Sequence, residues 1–143
     1  MQLAKYGPIV IIEDNEDERF LYQVTFRNLK VSNPLSFFNN GREALDYLAS
    51  TQENPFLIIC DIQMPVMDGL ELRQRVVDNP YLVKKATPFV FRTGNTTSFE
   101  IAKAYELTVQ GFFKKSHDPE KMGYQLKLIL DYWKECLEPN DDV

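Results

Sequence analysis

The sequence has few cysteines and no long apolar run, and each absence excludes a class of protein. Its two cysteines, Cys60 and Cys136, lie far apart without a C-x-x-C pair, so neither a metal site nor a redox motif is indicated. No apolar run approaches the roughly 20 residues that span a bilayer, and the first residues lack the apolar stretch of a secretion signal. We therefore expect a cytoplasmic protein that makes no membrane contact.

Basic stretches are also missing from the sequence. The net charge is -5, and a pair such as Lys114-Lys115 is too short to displace counterions from nucleic acid, so nucleic-acid binding is not expected. With 143 residues, 44% apolar and 26% charged, the chain has the composition of one globular domain. We predict a single domain over residues 1–143, with its core at about 6–137 and an acidic, frayed tail at 138–143.

Five short β-branched or aromatic runs alternate with longer amphipathic stretches along the chain. This alternation is typical of βαβ units around a parallel sheet. Continuously apolar runs, such as Ile9 to Ile12, indicate strands that helices cover on both faces. The predicted strands are Pro8 to Glu13, Pro34 to Phe38, Pro55 to Cys60, Pro88 to Thr93, and Gln110 to Lys114.

The stretches between the strands carry signals for helix starts. In the first of them, Leu21, Tyr22, Thr25, Phe26 and Leu29 fall on one arc at helical spacing, which predicts a side facing the core. Capping residues three positions apart, or a cap followed by proline, mark where helices begin. These signals are Asn40 with Glu43, Thr97 with Glu100, and Asp118 with Pro119.

Polar residues directly follow four of the predicted strands. They are Glu13, Asp14, Asp61, Thr93 and Lys115. Because ligands of an open α/β sheet bind beyond the carboxyl ends of its strands, we expect these side chains to converge on one pocket. Each aspartate alone would more often be a helix cap than a ligand, but the ordered set favours a site.

Three carboxylates in one pocket repel one another unless a hard cation such as Mg²⁺ is bound. Mg²⁺ keeps several waters and accepts phosphate oxygens, which suits phosphoryl transfer. Asp61 could be the nucleophile, because carboxylates form aspartyl phosphates. Thr93 could donate a hydrogen bond to one phosphoryl oxygen, and Lys115 could place its charge beside another.

The sequence resembles the receiver family of response regulators over nearly its whole length. The resemblance implies a flavodoxin-like (βα)5 fold, a doubly wound parallel five-stranded sheet of order 2-1-3-4-5. It also implies a switch in a two-component phosphorelay, with no enzymatic activity beyond self-phosphorylation and autodephosphorylation. The motifs that carry it are Glu13-Asp14, the segment from Cys60 to Gly69 that contains Met64-Pro65 and Asp68-Gly69, Thr93-Gly94, and Phe112 to Lys115.

The resemblance assigns the metal site residue by residue. Asp61 matches the phosphoacceptor. Asp14, Asp61 and the backbone carbonyl of Gln63 match the Mg²⁺ ligands, and Glu13 acts through a coordinated water. Glu13 stands where aspartate is commoner in the family, which lengthens the side chain by one methylene and could shift the affinity for the metal.

The resemblance also assigns a switch, with two departures from the family pattern. Thr93 matches the hydroxyl that moves to the phosphoryl group, Lys115 the pocket lysine, and Phe112 the aromatic ring whose rotamer follows activation. Ser116 replaces the usual proline, which leaves the isomer of the preceding peptide bond open. Arg92 stands where the family is usually apolar, so it must reach solvent or a partner.

The resemblance implies a sensor histidine kinase as the donor and a downstream protein or phosphotransfer partner as the receiver of the signal. The lysine followed by serine, the long last helix and Trp133 are similar to single-domain receivers of bacterial phytochrome kinases. A phosphohydrolase of the haloacid dehalogenase type is an alternative, but it needs an aspartate where this chain has Gln63. A degenerate receiver that only binds a partner is a second alternative, which Ser116 and Arg92 keep open.

The last predicted helix has two apolar sides. One side can pack on the sheet, and its residues are Met122, Leu126, Ile129, Leu130, Trp133 and Leu137. The opposite stripe of Tyr124, Leu128 and Tyr132 would be exposed in a monomer. Because an exposed apolar stripe often marks a protein contact, we predict a homodimer through this helix.

Overall fold

A parallel sheet of five strands, in the order β2-β1-β3-β4-β5, lies at the centre of the computed structural model, which describes residues 4–139 and 141. The predicted doubly wound sheet and its strand order are confirmed, and every strand lies within two residues of its predicted ends. The strands are β1 (Ile9–Ile12), β2 (Leu35–Phe38), β3 (Leu57–Cys60), β4 (Phe89–Thr93) and β5 (Gly111–Lys114).

Within the described residues, six α-helices connect and follow the strands, after a short 3₁₀ turn at Ala4–Tyr6. The three predicted cap signals are confirmed at the starts of α2, α5 and α6. The sequence prediction missed α4, although Asn79 caps it and Pro80 occupies its first turn. The helices are α1 (Glu16–Asn28), α2 (Gly41–Ser50), α3 (Gly69–Val77), α4 (Pro80–Lys85), α5 (Ser98–Glu106) and α6 (Pro119–Glu135).

The helices cover the two faces of the sheet unequally. Since side chains alternate along a strand, Val10 and Ile12 face one layer while Ile9 and Ile11 face the other. The first layer contains buried residues of α2, α3, α4 and α5, and the second contains those of α1 and α6. Both layers hold the sheet, so each central strand is buried on two sides as the apolar runs predicted.

Some predicted core residues lie elsewhere. Leu21 is 40% exposed, because it is rotated by one residue from the buried pair Tyr22 and Phe26 on α1. Leu137 is 74% exposed, since α6 ends at Glu135 and the helical arc does not continue beyond it.

The predicted acidic tail is only partly covered by the described residues. Residues 140, 142 and 143 of that tail lie outside them. The Glu138 carboxylate accepts a hydrogen bond of 2.6 Å from the backbone N–H of Ala4, so this part of the tail is tied to the start of the chain rather than frayed. Among the residues that the structure describes, no helix is both long and apolar enough to cross a membrane.

Candidate functional site

The predicted site residues meet at the carboxyl ends of neighbouring strands. Ile12 is in register with Cys60, and Cys60 with Phe91, so the residues that follow β1 and β3 emerge side by side. Glu13 and Asp61 are these following residues, and both are buried. The structure therefore brings together side chains that lie far apart in the sequence.

Both carboxylate oxygens of Asp61 accept hydrogen bonds. The Thr93 hydroxyl donates to Oδ1 over 2.6 Å, and the backbone N–H of Ile62 donates to the same oxygen over 2.7 Å. The Lys115 ammonium donates to Oδ2 over 2.9 Å. Thr93 and Lys115 thus already contact the carboxylate that the sequence predicts as the phosphoacceptor.

Lys115 also joins Asp61 to Glu13. Its ammonium lies 2.7 Å from Oε2 of Glu13, while Oε1 of Glu13 accepts a hydrogen bond from the backbone N–H of Asn15. The Glu13 carboxylate is only 3% exposed, whereas the neighbouring Asp14 is exposed to solvent. One half-buried ammonium therefore bonds two buried carboxylates.

The protonation states follow from burial and from these bonds. Burial raises the pKa of Asp61, but the hydrogen bonds from Thr93 and Lys115 outweigh it, so the pKa is lowered and the carboxylate is ionised at neutral pH. Burial raises the pKa of Glu13 to about 7, against the hydrogen bond from Lys115. Burial lowers the pKa of Lys115, but its hydrogen bonds to Glu13 and Asp61 outweigh burial. The pKa of Lys115 is therefore raised above its ordinary value, and the ammonium stays charged.

Three carboxylates lie close enough to share a cation. Glu13, Asp14 and Asp61 each offer an oxygen within 4.8 Å of the others. Hard cations such as Mg²⁺ and Ca²⁺ prefer oxygen ligands of this kind. Gln63 lies two residues beyond Asp61 in the same loop, and its side-chain amide donates to the backbone carbonyl of Asn95 over 3.2 Å. The donor set fits a divalent metal.

The loop after Asp61 is held tightly by its glycine. Asp68 caps α3 by accepting from the backbone N–H of Glu71, and Gly69 donates its own N–H to the carbonyl of Ile62. A Cβ on Gly69 would lie 2.3 Å from the Asp61 carbonyl oxygen, which excludes a side chain there. Val66, at the exposed tip of this loop, has a positive φ of 68°.

Two further residues flank the pocket. Phe112, the predicted switch residue, is half-buried, and its ring centroid lies 5.9 Å from that of Phe91. Cys60 is fully buried, its thiol donates to the backbone carbonyl of Asp61 over 2.9 Å, and burial raises its pKa well above the ordinary value. Cys60 is therefore a protonated core thiol.

The structure describes the surroundings of two of the three departures from the family pattern, Ser116 and Arg92. The peptide bond between Lys115 and Ser116 is trans. Arg92 is 1% exposed, so it reaches partners and not solvent: it donates to Tyr22 and to Gln125. No local pattern in the sequence predicts these contacts, because the partners lie 70 and 33 positions away.

Residues 9–127 match the response regulator receiver domain family, which is more than half of the chain. The chain belongs to this family. The predicted resemblance to the receiver family is confirmed, and the protein is a receiver domain of the kind found in two-component signalling.

Several relatives carry the same fold over nearly their whole length. The response regulator Rcp1 of Synechocystis sp. is 26% identical over 134 residues, which cover 90% of this chain and 90% of the relative. The crystal structure of the phosphorylated cyanobacterial phytochrome response regulator RcpA superposes with a TM-score of 0.82 at 25% identity, covering 93% and 98% of the two chains. The Mn²⁺-bound form of Rcp1 superposes with a TM-score of 0.79 at 24% identity, covering 92% and 98%.

Proposed function

We propose that the protein is a phosphoryl-accepting switch in which Asp61 takes a phosphoryl group from a sensor histidine kinase. One observation carries this proposal: the Asp61 carboxylate is ionised, and both of its oxygens contact donors that a phosphoryl group requires. Positioning and charge stabilisation account for most of the catalysis of phosphoryl transfer. Thr93 and Lys115 supply these two contributions.

In the proposed step, one Asp61 oxygen forms a bond to phosphorus as the bond between phosphorus and the donor histidine nitrogen breaks. The Thr93 hydroxyl and the Lys115 ammonium now bond the carboxylate, at 2.6 Å and 2.9 Å. Both groups would then donate hydrogen bonds to phosphoryl oxygens instead. Because they already contact the carboxylate that takes up the phosphoryl group, they need to move only a short way. Lys115 would then loosen its bond to Glu13, and this displacement begins the switch.

The metal in this proposal is Mg²⁺, held by Asp14, Asp61 and the backbone carbonyl of Gln63, with Glu13 acting through a water. Bound Mg²⁺ supplies positive charge to the phosphoryl oxygens. The three carboxylates within 4.8 Å of one another support a divalent ion here, and the relative Rcp1 has a Mn²⁺-bound form. Asp14 is exposed, so it can reach an ion from the open side of the pocket.

Phe112 is the proposed relay of the switch. Its half-buried ring packs against the apolar layer that contains Phe91, and we expect its rotamer to follow the movement of Thr93. We expect a downstream protein or a phosphotransfer partner to read the resulting change. We expect the protein to catalyse no reaction beyond self-phosphorylation from small phosphodonors and autodephosphorylation. Its cytoplasmic location stays a prediction.

A phytochrome-like histidine kinase is the proposed donor. The similarity to Rcp1 and to the phytochrome response regulator RcpA, each over nine tenths of this chain, supports this choice. Phosphotransfer from a purified phytochrome kinase can be timed against transfer from an unrelated histidine kinase. Transfer that is no faster from the phytochrome kinase would contradict this part of the proposal.

A homodimer through α6 is proposed for the assembled state. Tyr124, Leu128 and Tyr132 are 62%, 50% and 62% exposed, as the sequence predicted for this stripe. Burying such side chains against a second copy removes apolar surface from water. Light scattering should show a dimer for the wild type and a monomer for Leu128→Glu. A wild-type monomer with and without the phosphoryl group would contradict the dimer.

Intact-mass spectrometry after incubation with acetyl phosphate tests the central proposal. The wild type should gain one phosphoryl group with release of acetate, and only when Mg²⁺ is present. Asp61→Asn should gain none, while Asp78→Asn, at an exposed aspartate whose carboxylate accepts from the Gln74 amide at the end of α3, should behave as the wild type does. No addition to the wild type would favour a degenerate receiver that only binds a partner, and continuous phosphoester turnover would favour a hydrolase.

A further inference from the structure

Arg92 lies next to the phosphorylation pocket in sequence but on the opposite face of the sheet. It directly precedes Thr93, and because strand side chains alternate, it points into the layer of α1 and α6. Its guanidinium donates to Oε1 of Gln125 over 3.1 Å and to the Tyr22 hydroxyl over 3.2 Å. It also lies 5.4 Å from the centre of the Tyr22 ring. The arginine is thus buried among side chains of two helices.

Glu18 connects this arginine to the pocket. One of its carboxylate oxygens lies 3.8 Å from the Arg92 guanidinium and 4.0 Å from the Lys115 ammonium. The side chain is 28% exposed, and both distances exceed that of a direct hydrogen bond. Glu18 is therefore attracted by two cations and can turn toward either.

Gln125 connects the same arginine to α6. It is 7% exposed, it accepts from Arg92, and its amide donates to the backbone carbonyl of Lys114 over 3.0 Å. Lys114 directly precedes Lys115, just as Arg92 precedes Thr93. One side chain of α6 thus contacts the residues before both pocket donors.

We propose that Arg92 is a positioning residue that couples the phosphorylation state of Asp61 to α6 through Glu18 and Gln125. The proposal rests on the proposed function. When Lys115 turns to the phosphoryl oxygens, its attraction for Glu18 weakens, and Glu18 moves toward Arg92. The hydrogen bond from Arg92 to Gln125 then adjusts, and α6 shifts or changes its dynamics.

Burying a charged side chain costs free energy of desolvation, which packing alone does not require. Replacing buried ion pairs with apolar residues of similar volume is often neutral or stabilising. Arg92 instead has side-chain partners on α1 and α6 and a shared carboxylate that reaches the pocket. Such an arrangement suits a side chain that responds to a change of charge in the pocket, because Arg92 can strengthen its contact with one partner as it weakens its contact with another.

The chain provides a matched control in Arg73. This second buried arginine is 6% exposed and lies 5.1 Å from the ring of Phe89. It donates to the backbone carbonyls of Leu107 and Thr108 at the end of α5, on the other face of the sheet. Arg73→Met removes a buried guanidinium without touching the proposed path, whereas Arg92→Met interrupts it.

Hydrogen exchange of the α6 amides is the readout, with the emission of Trp133, the single tryptophan, as a second signal. Each protein is compared before and after incubation with acetyl phosphate and Mg²⁺, and intact mass establishes the phosphorylated fraction. Arg92→Met should take up the phosphoryl group, while its phosphorylation-dependent change in α6 falls at least about fivefold. Arg73→Met should keep the wild-type change. A full wild-type change in Arg92→Met would overturn the proposal.

Two further variants keep the proposal testable. If Arg92→Met does not fold, Gln125→Met cuts the same path from α6 and should give the same loss. If the wild type takes up no phosphoryl group, the proposed function fails, and the coupling is judged by Lys115→Met. That substitution removes the attraction of the Lys115 ammonium for Glu18. It should therefore alter hydrogen exchange of the α6 amides when it is made in the wild type, but not when it is made in a chain that already carries Gln125→Met. Equal effects in both backgrounds would overturn the coupling.

Discussion

The two ends of the strands are built from different chemistry. At the carboxyl ends, the Lys115 ammonium lies 2.7 Å from the Glu13 carboxylate and 2.9 Å from the Asp61 carboxylate, and both carboxylates are buried. At the amino ends, prolines precede strands, and the carbonyls of Pro8, Pro34 and Pro88 accept hydrogen bonds from backbone N–H groups in or directly before a neighbouring strand. The amino ends therefore hold the sheet through apolar contacts and backbone bonds, while the carboxyl ends carry the chemistry. Stability and function can be changed separately along the same strands.

Backbone strain differs between the two ends in the same way. Lys30, Ala86 and Thr108 have positive φ angles of 58°, 53° and 59°, and each closes the end of a helix near the amino ends of the strands. Positive φ is ordinary at that position of a helix. Val66 has φ of 68° in the loop beside Asp61, where no helix ends. A branched side chain in this conformation is strained.

The largest expected effect comes from the amino end. Leu57 is fully buried and begins β3, so Leu57→Ala should lower the free energy of unfolding by about 2–5 kcal/mol through lost apolar contacts and a cavity. Urea denaturation measures this loss. Phosphoryl uptake by the folded protein should stay unchanged, since the site lies at the other end of the strand. Loss of uptake in the folded variant would show that the two ends are not separable.

The free energy of unfolding should depend on pH through Tyr22, which contacts Arg92 near the carboxyl end of β4. Burial raises the pKa of Tyr22 from its ordinary value of 10 to about 12, although Arg92 opposes the rise. Because the folded-state pKa is the higher one, this stability is fully present below pH 10 and is lost as the pH rises through 12. Two pKa units correspond to about 2–3 kcal/mol.

Tyr22→Phe should therefore lose less stability than the wild type over that range. Urea denaturation of both proteins at pH 10 and pH 12 gives the difference, and all other titrating groups are common to the two. Equal losses would contradict the burial argument. A substitution of the same kind at the exposed Tyr105 serves as the control.

A change at Glu13 should weaken metal use without removing the phosphoacceptor. Its proposed role is to orient a metal-bound water, and second-sphere changes of this kind typically cost about 10- to 100-fold in metal affinity. Glu13→Gln should therefore need about 10-fold more Mg²⁺ for half-maximal phosphorylation. Glu71→Gln, at an exposed partner of Arg75, is the control. An unchanged requirement for Mg²⁺ would remove Glu13 from the proposed metal site.

The smallest expected effect is a gain at the strained loop. Val66 is 80% exposed, so Val66→Asn loses little packing, and asparagine tolerates positive φ better than a branched residue does. The free energy of unfolding should rise by about 0.5–1 kcal/mol. Ala86→Asn, at the opposite end, should give a gain of similar sign. A loss of stability at Val66 would mean that its side chain makes contacts that the strain argument leaves out.

Much of the fold could be predicted because its signals are local. The continuous apolar run from Ile9 to Ile12 and the cap formed by Thr97 with Glu100 involve neighbours in sequence, and both predictions are confirmed. The short helix α4 was missed, although its asparagine and proline carry a cap signal, because six residues contain too little periodicity. Leu21 was placed wrongly, since an apolar arc in sequence does not fix where its edge meets solvent.

The site could be predicted as a set of residues but not as a set of contacts. Strand ends in an open sheet predict where Asp61 and Lys115 meet, and the structure brings them to 2.9 Å. The sequence does not show that Lys115 also bonds Glu13, or that Arg92 crosses to α6, because these pairings depend on packing between distant segments. Their roles in phosphorylation and switching stay predictions.

The buried thiol of Cys60 makes the end of β3 readable by chemical labelling. Its sulfur lies against the Asp61 backbone carbonyl with no exposed surface, so a thiol reagent reaches it only when the strand separates from its neighbours. Cys136 is half-buried beyond α6 and should react sooner, as an internal reference. The ratio of the two labelling rates would time how often the centre of the sheet opens, with or without a ligand in the pocket above it.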